Sequence, residues 1–324
     1  MEFTRLTQLT GDPKYYDAVQ RIMNALEIGQ DKTRMPGMWP TWIDTDRMTF
    51  DDSEFTIGGC ADSAYEYLPK EHILLGAQTD KYHRMYEKAI ETFNENLLFR
   101  GMTQDEDQHI LFTTNVVAMR GDSKTFQYAP DHLKCFMGGT VAIGAKVFNR
   151  PEDMYVARGL TDGCVWAYDV MPTGIMPEVF KVSPCKHIDE CPWDEEQWMS
   201  DVISHSISTE EDREKAEGRI EAEHLPPGVT SVLDASYKLR YGFISFILLR
   251  LTNILPRLDL KLLSPCSSCT GLLEISLCKT PRGACLRTLI RQPGLSLAIR
   301  PSTMCVIRNQ NIRIKWRAFG LPRL

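Results

Sequence analysis

The chain has 324 residues, 43% of them hydrophobic and 25% charged, enough for one large domain or two ordinary ones with a substantial core. Global disorder is excluded by that composition, and no uncharged apolar run of about 20 residues offers a membrane-spanning helix. The net charge of −6 averages two unlike segments: residues 241–324 carry 13 Lys and Arg against Asp259 and Glu274 alone, net +11, which leaves 24 basic and 41 acidic residues, net −17, in residues 1–240. All seven His precede residue 241 and five of the ten Cys follow it, so a boundary is expected near Arg240.

Met1-Glu2-Phe3-Thr4-Arg5 leads into polar residues and a turn, so neither a secretory signal nor a membrane anchor is visible. A two-helix unit then recurs. Its first helices are Glu2–Leu9, Ile57–Leu75 and His132–Phe148, each followed by a short turn that reads as a helix start, with Asp12 and Pro13 the clearest. The second helices are amphipathic: Tyr15, Ala18, Val19, Ile22 and Leu26 recur at three- and four-residue steps, and Tyr82, Met85, Tyr86, Ala89 and Phe93 repeat the pattern.

The turn acids Asp12, Asp80 and Asp153 fall 68 and 73 residues apart. That spacing predicts helical hairpins set side by side, a solenoid or a closed α/α toroid. Long connections, 29–54 and 100–130, separate the units. The second, with Ile110–Val117 and a Gly121-Asp122 turn, reads as a β-hairpin insertion. Loops of this length are more often functional than idle.

The basic segment 241–324 could be a nucleic-acid arm, but it mixes Arg with Leu, Ile, Ser and Cys rather than Lys with polar residues, so no nucleic-acid partner is expected. Cys266, Cys269, Cys278 and Cys285 hint at zinc. Their second pair is separated by six residues and no His accompanies them, which does not fit a zinc ribbon. The segment is read as an aberrant tail rather than an evolved domain, of the kind a retained intron or shifted frame produces.

Candidate chemistry is confined to isolated residues. Asp62 follows Gly58-Gly59-Cys60-Ala61 and precedes Tyr65 and Tyr67; it is either a helix cap or a carboxylate that meets a sugar beside a stacking ring. Glu2 and Glu178, the latter in Gly174-Ile175-Met176-Pro177-Glu178, read as structural acids or site acids, and His132 as a capping or packing residue or a ligand. No cluster with metal spacing and no phosphate loop is present. Gly58-Gly59 and Gly138-Gly139 read as close helix contacts. Cys135 and Cys164 on successive helices, and Cys185 and Cys191 around a short loop, would pair in an oxidising compartment, leaving Cys60 free, and stay thiols in a reducing one. No Asn-x-Ser/Thr sequon is present to decide.

Together, Leu9-Thr10-Gly11-Asp12-Pro13-Lys14-Tyr15, the segment Gly59–Leu68, Asp131-His132-Leu133-Lys134-Cys135-Phe136, Thr173–Glu178 and Leu225-Pro226-Pro227-Gly228 resemble the class I α-1,2-mannosidases, glycoside hydrolase family 47, in a fungal branch. The resemblance spans about residues 1–240. It implies an all-α fold, part of an (α/α) barrel of helical hairpins. It also implies inverting removal of α-1,2-linked mannose from high-mannose N-linked oligosaccharides, a calcium ion, and work in the secretory pathway or outside the cell. Inversion needs a carboxylic acid at the leaving oxygen and a carboxylate on the attacking water.

Of three carboxylates implied by the resemblance, Asp62 matches the second. The first belongs to a motif upstream of Glu2. The third belongs to a Leu-Arg-Pro-Glu motif that this chain follows through Leu239-Arg240 before reading Tyr241-Gly242-Phe243. The Thr of an Asn-Thr-Glu motif implied for calcium has no counterpart, so no residue is assigned to metal. Glu2, His132 and Glu178 look like pocket-lining residues, and Cys135–Cys164 resembles a family disulfide, which favours an oxidising compartment. The expectation is a partial mannosidase domain, 1–240, with little or no activity as written. The alternatives are an inactive glycan-binding protein or a truncated product without function.

Overall fold

The structure, a computed structural model, describes residues 1–105, 107–119, 123–238, 272–278 and 285–291. The chain divides into two units, Met1–Leu258 and Asp259–Leu324. The compositional break at Arg240 lies outside the described residues, as do Cys266 and Cys269.

The first unit is built of four helical hairpins. Helices α1 (Glu2–Thr10) and α2 (Lys14–Gly29) form the first, α3 (Asp62–Leu74) and α4 (Lys81–Asn96) the second, α5 (Phe136–Val147) and α6 (Asp153–Asp169) the third, and α7 (Glu195–Ile203) and α8 (Glu210–Glu223) the fourth. Each first helix packs on its second, and α3 packs on α5. This is part of an (α/α) barrel, with the three expected hairpins in place and a fourth added.

Local chemistry sets the turns. α1 stops at Gly11, whose φ of +73° is available to glycine without strain and lets its N–H reach the Thr7 carbonyl at 2.8 Å. Asp12 then accepts from the Lys14 N–H at 3.1 Å. The stripe of α4 is buried as its spacing predicts, through Tyr82, Met85, Tyr86, Ala89 and Phe93, with Ile90 added. That of α2 is displaced. Ala18 is exposed and Ile22 is 60% exposed, whereas Met23 and Leu26 pack on the core. Of the row read in the sequence, Tyr15, Val19 and Leu26 are partly buried, and Met23 takes the place expected of Ile22.

Segments between the helices fold into three small sheets. β1 (Glu54–Phe55), β4 (Asn115–Ala118) and β5 (Lys124–Gln127) form an antiparallel sheet in that order; β2 (Leu98–Arg100) pairs with β3 (Leu111–Thr113), and β6 (Val179–Val182) with β7 (Val229–Asp234). The expected hairpin is therefore the β4–β5 pair, while the residues before it turn back onto β2. A Cβ at Gly163 would lie 2.3 Å from the Leu111 carbonyl, so α6 admits β3 only because glycine stands there. Gly138 is the expected close helix contact: a Cβ there would lie 2.7 Å from Thr161 Oγ1 across the α5–α6 interface. Gly58 differs: it precedes α3 and packs on the turn before α5.

In the second unit, β8 (Leu272–Cys278) and β9 (Cys285–Arg291) pair antiparallel, with Cys278 opposite Cys285. No strand is read there from the sequence, which alternates only locally.

Candidate active site

Three of the candidate residues begin helical segments. Glu2 is the first residue of α1, Asp62 the first of α3, and His132 the first of a 3₁₀ turn, His132–Cys135, that runs into α5. Each opens the first helix of its hairpin. A carboxylate there is favoured by the exposed backbone N–H groups and the partial positive charge of the helix end.

Asp62 is not the cap. Ala61 holds that position without a side-chain bond, and Asp62 Oδ1 accepts from the Ser63 N–H at 2.8 Å. The reason lies in the preceding turn: the Gly58 carbonyl takes both the Ala61 and the Asp62 N–H groups, at 3.0 and 2.9 Å, and Cys60 sits at φ +75°. The Asp62 side chain is thus released from capping and half-exposed. Tyr67, one turn on, donates its hydroxyl to Glu2 Oε1 at 3.0 Å. That bond, followed by burial and the charges of Glu2, Glu66 and Asp62, raises the Tyr67 hydroxyl above its ordinary range. The Glu2 carboxyl is held low, chiefly by its own backbone N–H and then by Tyr67. Tyr67 thus bonds Glu2 and feels the Asp62 charge without bonding it, and Glu66 pairs with Lys70 on the same helix.

His132 and Glu178 form a second group, 5% and 6% exposed. The Glu178 carbonyl accepts the His132 N–H at 2.9 Å, and Glu178 Oε2 lies 3.9 Å from His132 Nδ1. On the other side His132 Nε2 meets the Tyr168 hydroxyl at 2.8 Å, and the Tyr237 ring lies 5.3 Å away, centroid to centroid. Burial, followed by the Tyr237 hydroxyl 3.5 Å away, pushes the Tyr168 hydroxyl strongly up, so it stays a neutral donor at ordinary pH. Tyr168 is the residue the sequence reading missed. The signal was available, since Tyr168 lies one helical turn past Cys164, the expected partner of Cys135, which closes the His132 turn. Cys135 and Cys164 are bonded, with Cα atoms 6.0 Å apart, as are Cys185 and Cys191; Cys60 is free and exposed.

Among the described residues neither Glu2 nor Asp62 bonds directly to His132 or Glu178, but their supporting loops touch. A Cβ at Gly58 would lie 2.9 Å from Lys134 Cε and 3.4 Å from Asp131 Oδ2, and one at Gly59 would lie 3.7 Å from Leu133 Cδ2. Lys134 is buried at this junction. Burial lowers its ammonium below the ordinary range, opposed by Asp131, whose Oδ2 lies 3.2 Å from Lys134 Nζ. No three His, Cys, Asp or Glu side chains converge as metal ligands among the described residues, so no residue described here is assigned to calcium.

The likeness to known proteins is consistent in kind. The chain is 32% identical over 180 residues to the endoplasmic reticulum mannosyl-oligosaccharide 1,2-alpha-mannosidase of Mus musculus, covering 55% of this chain and 26% of that protein. It is 29% identical over 198 residues to the protein of that name in Saccharomyces cerevisiae, covering 55% and 34%. The chain thus spans about a quarter to a third of these relatives. In structure it is similar to the alpha-1,2-mannosidase from Trichoderma reesei, with a TM-score of 0.51 and 20% identity over 72% of this chain and 52% of that one, which is a likeness of fold. The model of Glycosyl hydrolase family 47 matches residues 1–253, and the chain belongs to that family.

Proposed function

We propose that this chain carries part of an inverting α-1,2-mannosidase that acts on high-mannose N-linked oligosaccharides in the secretory pathway. The supporting observation is the placement of Glu2, Asp62 and His132 at the starts of the first helices of three hairpins. Asp62 supplies one carboxylate of the acid and base pair, since its side chain is released from capping and half-exposed. The partly exposed Glu2–Tyr67 pair offers an acceptor and a ring to sugar hydroxyls. His132 and Glu178, stiffened by Tyr168, form the floor of the sugar pocket. The two disulfides within 1–240 suit an oxidising compartment. Among the described residues no helix is long and apolar enough to cross a membrane.

Calcium is implied by the family, but the described residues do not form a ligand set for it, and no step is assigned through it. Inversion requires two carboxyl groups about 6.5–9.5 Å apart. With Tyr241-Gly242 following Leu239-Arg240, the third expected carboxylate has no counterpart in this sequence. The 324-residue chain alone is therefore a poor catalyst, and the same observation favours a second reading, a mannoside-binding protein without hydrolysis. Residues 241–324 are proposed to be no domain of their own, the family match ending at residue 253.

The test titrates the purified chain with α-1,2-mannobiose by calorimetry and measures mannose release from a high-mannose oligosaccharide. Binding that is weakened but still measurable in Asp62→Asn, with no release, is the expected result. Failure of the intact chain to bind mannobiose overturns the assignment of the site, and robust release of mannose overturns the prediction of weak catalysis.

A further inference from the structure

A continuous polar chain links the turn that holds His132 to the helix start that holds Asp62, and Lys134 is its hub. Asp131, the residue before that turn, accepts from the Lys134 N–H at 3.0 Å through Oδ1 and faces Lys134 Nζ through Oδ2. Nζ also donates to Asn115 Oδ1 at 2.8 Å. The same oxygen accepts from the Thr56 hydroxyl at 2.7 Å, and Thr56 Oγ1 in turn accepts from the Gly58 N–H at 2.9 Å. The Gly58 carbonyl then receives the Ala61 and Asp62 N–H groups. The direction of each bond is fixed by chemistry: an ammonium only donates, so Asn115 must present its carbonyl oxygen, and that oxygen is then free to accept the Thr56 hydroxyl as well.

A side chain this buried is rarely lysine without a specific partner, because removing an ammonium from water is costly. A methionine of similar length would fill the volume without that cost. Its presence at a junction of three segments is explained if the charge orders them. Gly58 makes the same point from the other side, since any Cβ there would press on the lysine stem.

We infer that Lys134 is a positioning residue, which through Asn115, Thr56 and Gly58 sets the Asp62 carboxylate relative to the His132 turn. The inference rests on the proposed mannoside site for its consequence, though not for its geometry. Lys134 itself touches no sugar in this arrangement; it acts through Asp62.

Two measurements on the full chain test it. Amide hydrogen exchange in Lys134→Met should speed at Ala61 and Asp62 by about tenfold, the loss expected when a buried charge-assisted bond is removed, while Val141 in α5 keeps its protection. Mannobiose affinity should fall by about tenfold in Lys134→Met, but by less than about twofold when the substitution is made on Asp62→Asn, because two residues acting as one unit do not add. A merely structural lysine would weaken both backgrounds equally and loosen α5 as well. Unchanged exchange at Ala61 and Asp62, or equal losses in both backgrounds, overturns the inference. If the native chain binds no mannobiose yet exchange responds as described, the positioning role stands and the mannoside reading falls. Should Lys134→Met not fold, Asn115→Ala removes the shared acceptor and is read against the same outcomes.

Discussion

Replacing Cys135 and Cys164 together by alanine should cost far more stability than replacing Cys185 and Cys191, and the size follows from the loops they close. The first bond joins residues 29 apart and the second residues 6 apart. A cross-link removes from the unfolded chain an entropy of about 2.1 + 1.5R ln n cal/mol/K, so the longer loop is worth about 3.6 kcal/mol at 25 °C and the shorter about 2.2 kcal/mol. Cys164 is also buried on α6, so its loss adds a packing term of the same sign. For a domain of this size each kcal/mol moves Tm by about 2–4 °C, which predicts a fall of about 7–14 °C for the first pair and about 4–9 °C for the second. Urea unfolding followed by tryptophan fluorescence gives the free energies and calorimetry the midpoints. A loss below about 1 kcal/mol for the first pair, or a larger loss for the second, would refute the loop argument. The two variants should also separate in function. Cys135 closes the turn that His132 opens, so mannobiose affinity should fall in the first variant and hold in the second.

Gly144→Ala should destabilise the first unit by about 1–3 kcal/mol in urea unfolding, since the new methyl would sit 2.0 Å from the buried Tyr86 hydroxyl. Gly218→Ala on α8 meets nothing within 4 Å and should instead stabilise by about 0.5–1 kcal/mol. Tyr168→Phe removes the hydroxyl at His132 Nε2 and should cost about 1 kcal/mol, with weaker mannobiose binding in calorimetry. The Asp212 carboxyl is held well below its ordinary 3.8, first by the Thr209 hydroxyl and then by the Ser208 N–H, His205 and the Ser208 hydroxyl. A depressed folded-state pKa means support that is full above the unfolded value and lost as pH falls through the folded one. The start of α8 should therefore loosen in amide exchange only at pH well below 4, and Asp212→Asn should be loose throughout.

The repeat of hairpins was legible because a packed helix must show its apolar residues at a 3.6 period, and α4 does so with six buried side chains. The face of α2 was misread at Ala18 and Ile22 because Tyr15, Tyr16, Ala18, Val19, Ile22 and Met23 offer two adjacent rows, and only the neighbour decides between them. The helix α8 escaped notice for the opposite reason. It buries only Ala216, so no stripe exists, and its signal was the capping box from Thr209 to Asp212. Strands of two to four residues whose partners lie as far off as β1 and β4 leave almost no local trace. At the site, Asp62 was expected either to cap α3 or to meet a sugar. Proximity in sequence could not show that the Gly58 carbonyl would already hold the Asp62 N–H. Lys134 was quoted in a motif but given no role, since burial of a lysine is a tertiary fact.

The two ends of the hairpins treat their acids differently, and the difference bears on what could bind. At the turns, two acids are paired: Asp12 with Lys14 at 2.7 Å, and Asp153, nearly inaccessible, with Arg150 at 2.7 Å and with the Asn94 amide of α4 at 3.1 Å. At the opposite end of α3, Asp62 pairs with no Lys or Arg among the described residues, and Glu2 meets the terminal amine and a tyrosine. At Asp62 the backbone N–H groups of the helix start, rather than a Lys or Arg, offset the charge. A neutral polyol fits such a surface, because its hydroxyls donate to carboxylates without bringing a charge to repel. A glycosidic bond breaking toward an oxocarbenium ion fits it better still, because the positive charge that develops would meet the Asp62 carboxylate, which pairs with no Lys or Arg among the described residues. A phosphate or sulfate ester would face repulsion there instead, so an acid left without Lys or Arg at the end where Asp62 stands suits the uncharged sugar proposed for the site.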